Sequence, residues 1–285
     1  ELLKRGICRV ELPEGFDTNR WAEELSQIRP MNLCFEGDGE SPLYRNIMEE
    51  PEFPFDLILW GGGGGGESGD DSGLSSAEES GSPAARNESS PSGLSEIGRS
   101  ILRYFPVSTN ESDPMLGEED RQRKILREEL RLDNAFCKHY DSSQWDTVGK
   151  LHMDPSDITV NMCLHKSEDA EGSYVLFHGT KQLQNLDAEC GNGSAGGDPN
   201  ADGKSDESRE ASKTGAAAAA VAKAEAEANG DRFLVSQEPG YATIHFGDHP
   251  HETTSLRRGS RTNVIMTYLY TDTSRTDATT RQCYF

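Results

Sequence analysis

The chain has 285 residues, room for one large domain or two modest ones, and only 33% of them are hydrophobic, below the usual globular fraction. With 50 acidic against 28 basic residues the formal net charge is −22, which argues against nucleic acid as a partner because its binders carry basic patches. No apolar run approaches the ~20 residues that a membrane-spanning helix needs.

Residues 1–60 read as an N-terminal support region. Gly6 to Leu12 alternates apolar and polar residues as a strand does. Asp17 or Thr18 caps a helix to about Ile28, with Trp21, Leu25 and Ile28 at helical spacing. An apolar patch, Phe53 to Trp60, closes the region. Residues 61–95 open with Gly61–Gly66 and continue in Ser, Asp, Glu and Pro. They hold too little apolar area to offset chain entropy and are expected to form a disordered insertion. Residues 96–132 read as supporting helices. One carries Ile97, Ile101, Leu102 and Phe105; the other runs from about Gly117 to Leu132, with Glu119–Arg123 and Asp120–Lys124 as i,i+4 pairs.

From 133 to 270 the period shifts towards two, with strand-like runs at 135–141, 157–164, 173–178, 232–236, 241–246 and 262–270. A second expected disordered insertion, 181–230, interrupts them and ends in Ala216–Ala228, an Ala-rich helix of marginal stability. Residues 271–285 read as a tail. Helices followed by many short strands predict a mainly β, α+β fold: a sandwich or jelly roll with flanking helices.

The cysteines at 8, 34, 137, 163, 190 and 283 form no CxxC pair and match neither a zinc site nor a disulfide framework. Cys137 and Cys163 read as small buried hydrophobes. An intracellular, reducing location is expected, with cytoplasm, nucleus and endoplasmic reticulum all compatible. Sequons at Asn87, Asn110 and Asn192 are read as products of chance in Ser- and Asn-rich sequence. A first residue other than methionine suggests a fragment or processed product.

The chemistry concentrates in two places. In His152-Met153-Asp154, extended backbone points residues i and i+2 from one face, so imidazole and carboxylate are spaced to chelate one ion. Alone, the motif reads equally as a capped turn with a surface carboxylate. The segment from Gly240 to Tyr270 supplies His245, His249 and His251, then Gly259 and Arg261. Two histidines and a carboxylate leave three open positions on an octahedral metal, as in non-haem Fe(II) oxygenases. Arg261 offers a planar fork that matches a carboxylate.

At these residues the sequence resembles the 2-oxoglutarate/Fe(II)-dependent dioxygenases of the prolyl-4-hydroxylase-like branch. His152 and Asp154 fit the family's H-x-D, followed by ITVNMCL where an apolar strand stands. His251 fits the distal histidine, with Gly259 eight residues on and Arg261 ten. YVLFHGT and EPGYATIHFG resemble the intervening strands, and FCKHY nominates Tyr140 as a 2-oxoglutarate contact. The last strand has Thr267 where many relatives place tryptophan, and the acidic or glycine pair before the third strand is blurred into Glu168 to Ser173.

The resemblance implies a double-stranded β-helix core of the jelly-roll or cupin-like kind. It implies Fe(II) on His152, Asp154 and His251, with Arg261 and Tyr140 holding 2-oxoglutarate, O2 as oxidant and ascorbate as reductant. The implied reaction is hydroxylation of a protein or peptide side chain, with succinate and CO2 as products. A small-molecule substrate is the other candidate partner. On the same spacing His251 is selected over its two neighbours, His245 becoming a core-facing residue whose other ring nitrogen donates to a neighbour and His249 an exposed loop residue. His165 and His178 are expected to be structural, and Arg257 and Arg258 an exposed basic pair. Two alternatives remain: another cupin-type metal enzyme, which leaves Arg261 idle, and an inactive interaction module, which has no need of three convergent ligands.

Overall fold

The computed structural model describes residues 2–28, 43–48, 50–60, 94–107, 117–144, 147–183 and 231–274. Of the two insertions expected at 61–95 and 181–230, residues 61–93 and 184–230 fall outside these residues, as do the Ala-rich helix, the three sequons and most of the tail. The inner edges of both insertions lie within them and are packed: Leu94 and Leu183 are buried, and Ser95 caps a helix.

The elements follow in the order β1 (Ile7–Glu11), α1 (Thr18–Ser26), β2 (Leu43–Asn46), α2 (Phe55–Trp60), α3 (Glu96–Tyr104), α4 (Glu118–Glu129) and β3 (Leu130–Asp141). There follow β4 (Gly149–His152), β5 (Ile158–Lys166), β6 (Glu171–Gly172), β7 (Val175–His178) and β8 (Arg232–Val235). The chain ends in β9 (Tyr241–Phe246), β10 (His251–Thr253), β11 (Leu256–Arg258) and β12 (Ser260–Tyr270). All strand pairs are antiparallel. One sheet runs β1-β9-β5-β12-β3-β2, a second β4-β10-β7-β8, and β11 pairs with β6.

Side-chain oxygens set the helix starts as N-cap chemistry requires. Asp17 accepts from the Arg20 amide at 3.0 Å, and Ser95 from the Gly98 amide at 3.0 Å. The longer helix departs from expectation. It stops at Glu129 because Leu130 and Leu132 pair with Tyr270 and Tyr268 of β12, and this ladder overrides helical propensity. Its ion pairs include Arg121–Glu118 and Arg123–Asp120 at i,i+3 and Lys124–Glu128 at i,i+4, where Glu119–Arg123 and Asp120–Lys124 are the pairs expected.

Strand alternation sorts the six-stranded sheet into two faces. Ala135, Cys137, Val160, Met162, Leu164, Ala242, Ile244, Val264 and Met266 pack with Ile97 and Ile101 of α3 in the main core. The opposite face carries Tyr140, Thr159, Asn161, His245, Arg261 and Asn263. The four-stranded sheet covers it: Val175, Phe177 and Val235 form a second apolar cluster with Ile7 of β1. Apolar burial thus holds the helices on one side and leaves a polar layer between the sheets.

Candidate metal centre

β10 pairs with β4 in a register that sets His251 opposite His152. Asp154 lies in the turn just after β4, and three contacts fix that turn. The Asp154 amide donates to the Gly247 carbonyl (2.8 Å), the Gly247 amide to the Asp157 carbonyl (3.2 Å), and the Thr159 hydroxyl to Asp154 Oδ2 (2.7 Å). His152 Nε2 stands 3.4 Å and His251 Nε2 3.9 Å from Asp154 Oδ1. One ligand atom from each residue lies within 4.8 Å of the others.

Both imidazoles turn the correct nitrogen inward. His152 Nδ1 meets the Lys150 carbonyl at 2.7 Å and His251 Nδ1 the His249 carbonyl at 2.9 Å. A carbonyl can only accept, so Nδ1 carries the proton and Nε2 the lone pair, the arrangement of metal-ligating histidine. Burial alone would raise the Asp154 carboxyl, but the histidines around it, His251 foremost, hold it well below the usual carboxylate range. Burial holds His251 well below the ordinary imidazole value. His152 is opposed by burial yet raised by its contact with Asp154. The three side chains are 46%, 13% and 10% exposed in the order His152, Asp154, His251, so the centre opens to solvent on the His152 side.

These donors fit a first-row divalent cation. Ligands at ~2.1 Å in adjacent positions stand ~3 Å apart, within a side-chain rotation of the distances observed. Imidazole nitrogen with carboxylate oxygen suits Fe(II), and three protein donors leave half an octahedron free.

Arg261 and Tyr140 face each other across the β12–β3 ladder. Both are buried, with the Arg261 guanidinium carbon 4.8 Å from the tyrosine ring centre. Arg261 donates through one terminal nitrogen to the Ser173 carbonyl, at a residue whose φ of 56° is left-handed. Its Nε, like Asn263 Oδ1 and Gln237 Nε2, is buried with no partner. Buried polar atoms are ordinarily satisfied, so this row marks a place built for a polar occupant. Burial opposes ionisation of Tyr140, but Lys138 and Arg261 bring its phenol below the ordinary value. Thr253, two residues beyond His251, also helps to lower the Tyr140 phenol, after Lys138 and Arg261.

The structure therefore draws His152, Asp154 and His251 into one cluster and Arg261 and Tyr140 into a second in the layer between the sheets. His249 departs from expectation. It is buried rather than exposed, because the rings of Phe177 (4.9 Å) and Phe233 (6.2 Å) pack on it, and burial pushes its imidazole down to about 3. His245 faces the core, its Nδ1 against the Phe246 carbonyl at 2.8 Å. His178 is buried on Glu252 at 3.0 Å, while Arg257 and Arg258 are exposed. Sequence reasoning missed Thr159, Lys138, Thr253 and Asn263. Thr159 and Asn263 carry a usable signal, since each is a polar residue at an inward position of an otherwise apolar strand. A separate cavity of about 1020 Å³ lies among the N-terminal segment, α3 and α4, and contains none of these residues.

No family model matches the sequence, and no curated protein does. Among solved structures, the chain is similar to a 2OG-Fe(II) oxygenase family oxidoreductase from Burkholderia pseudomallei (12% identity, TM-score 0.29, 52% of this chain and 50% of that one). It is also similar to EctD from S. alaskensis with 2-oxoglutarate and 5-hydroxyectoine (11%, 0.31, 51% and 46%). A third is HygX from Streptomyces hygroscopicus with nickel and 2-oxoglutarate bound (10%, 0.40, 93% and 83%). The chain spans about half the length of the first two. At such identities and TM-scores these likenesses carry no functional weight, and the functional reading rests on the side chains.

Proposed function

We propose that this protein is a non-haem Fe(II), 2-oxoglutarate-dependent oxygenase. One observation carries the reading: a convergent His152/Asp154/His251 donor set with an open side and, in the same layer between the sheets, a buried arginine whose Nε lacks a partner. A metal alone explains the first half. An anionic co-substrate accounts for a guanidinium, costly to bury, left short of a partner in that layer.

His152, Asp154 and His251 would hold the metal, with Thr159 anchoring Oδ2 so that Oδ1 is left to ligate. Arg261, fixed against the Tyr140 ring, pairs with the far carboxylate of 2-oxoglutarate, and the Tyr140 hydroxyl adds a donor. Bound iron supplies the oxidising chemistry that couples decarboxylation of 2-oxoglutarate by O2 to hydroxylation of the substrate. The exposed flank of His152 gives the substrate its way in. The prolyl-4-hydroxylase-like branch, the double-stranded β-helix core, ascorbate as reductant and an intracellular location are further parts of the proposal. So is a protein or peptide side chain as substrate, which the net negative charge favours over nucleic acid.

Adding 2-oxoglutarate anaerobically to the Fe(II)-loaded protein tests the proposal before any substrate is known. A saturable absorption change is expected, and Arg261→Ala should need far more 2-oxoglutarate to reach it. Iron binding with no response to 2-oxoglutarate would shift the reading to another metal enzyme.

A further inference from the structure

Two cations, not one, stand around the Tyr140 ring. The Arg261 guanidinium carbon lies 4.8 Å from the ring centre, and the Lys138 ammonium lies 4.7 Å from it. Strand alternation explains the meeting. Cys137 packs in the main core, so Lys138 turns to the opposite face of β3, the face that carries Tyr140 two residues on. The register of β3 with β12 sets Lys138 opposite Asn263 and Tyr140 opposite Arg261, so the four side chains border one patch of the layer between the sheets. Lys138 is half-buried there, and its charge joins burial in opposing a proton on His152.

Two like charges drawn into a half-dry layer repel, and each is costly to bury. One phenol, even ionised, balances only one of them. The atoms left short of partners border the same patch: Arg261 Nε and, on the residue opposite Lys138, Asn263 Oδ1. A carboxylate seated there offers acceptors to both cations.

We propose that Lys138 is a second cation for the co-substrate: with Arg261 it holds the carboxylate of 2-oxoglutarate that lies far from the metal, and so sets the requirement for a dicarboxylate. The inference rests on the oxygenase reading above, which gives that carboxylate no other charged residue than Arg261.

The test asks which end of the ligand Lys138 reads. 2-Oxopentanoate keeps the 2-oxo acid head of 2-oxoglutarate and has a methyl group in place of the distal carboxylate. Dissociation constants for both are measured anaerobically on the Fe(II)-loaded full chain, in wild type, Lys138→Met, Lys138→Gln and Lys138→Arg. Losing one charge-assisted contact should weaken 2-oxoglutarate roughly 10- to 100-fold in the Met and Gln variants. Binding of 2-oxopentanoate should stay as in wild type, which also shows that the site is folded, and Lys138→Arg should restore most of the affinity for 2-oxoglutarate. Equal weakening of both ligands, or loss of both through misfolding, would overturn the inference. Wild-type binding of 2-oxoglutarate that the variants leave unchanged would sink it alone. A wild type that binds iron but ignores 2-oxoglutarate would sink the oxygenase reading and this inference together.

Discussion

Asp154 shows what one residue of this centre requires. Its backbone is pinned by Gly247, its Oδ2 by the Thr159 hydroxyl, and its Oδ1 is left facing two imidazoles. Thr159→Val keeps the side-chain shape and removes the anchoring hydroxyl. Metal affinity measured by calorimetry should fall about 10- to 100-fold, with the fold intact by circular dichroism. Unchanged affinity would mean that Asp154 is held by its turn alone. The buried thiols give a second test at this scale. Burial pushes Cys137 and Cys163 up to about 12, against an ordinary value of 9.0. The unfolded chain loses these protons first as pH rises, so their contribution to stability is full below pH 9 and is lost towards pH 12. The slope is about 1.4 kcal/mol per pH unit for each thiol. Denaturant midpoints followed across that window in wild type and Cys137→Ala should diverge in slope, and parallel curves would contradict the assignment.

At the scale of elements, the centre depends on a tight meeting of two turns. A Cβ on Gly247 would stand 1.9 Å from the Ser156 carbonyl oxygen, so the turn after β9 can approach the turn after β4 only through a glycine. Gly247→Ala should cost about 1–3 kcal/mol by overpacking and weaken metal binding in the same sample, since Asp154 hangs from that backbone. A variant that melts and binds like wild type would show that the turns can separate without harm. The sequence made the long strands legible because hydrophobic alternation records burial on one face. It did not reveal β4 or β10, the strands that present His152 and His251. Both are short and polar, and exist because they pair with each other and with β7. The helix from Glu118 was misjudged at its end for the same reason: pairing with β12, not local preference, decides where Leu130 goes.

For the whole molecule, the H-x-D motif nominated the metal cluster because strand geometry sets residues i and i+2 on one face, whereas the offset from His251 to Arg261 was legible only through the family resemblance. Spacing along the chain could not reveal His245 beside Asp154, since they come from different sheets, nor the burial of His249 under Phe177 and Phe233. The finished architecture is a helix-backed sheet and a smaller sheet with a polar layer between them that holds the candidate metal donors and a buried arginine. Among the described residues no helix is long and apolar enough to cross a membrane. The most direct test of the central claim is succinate formation from 2-oxoglutarate in air with Fe(II) and ascorbate, comparing wild type, His152→Ala and Arg261→Ala. The account predicts slow uncoupled turnover in wild type, its loss in His152→Ala, and a large rise in the 2-oxoglutarate requirement of Arg261→Ala. Equal succinate from wild type and His152→Ala, or none from an iron-loaded wild type, would contradict it.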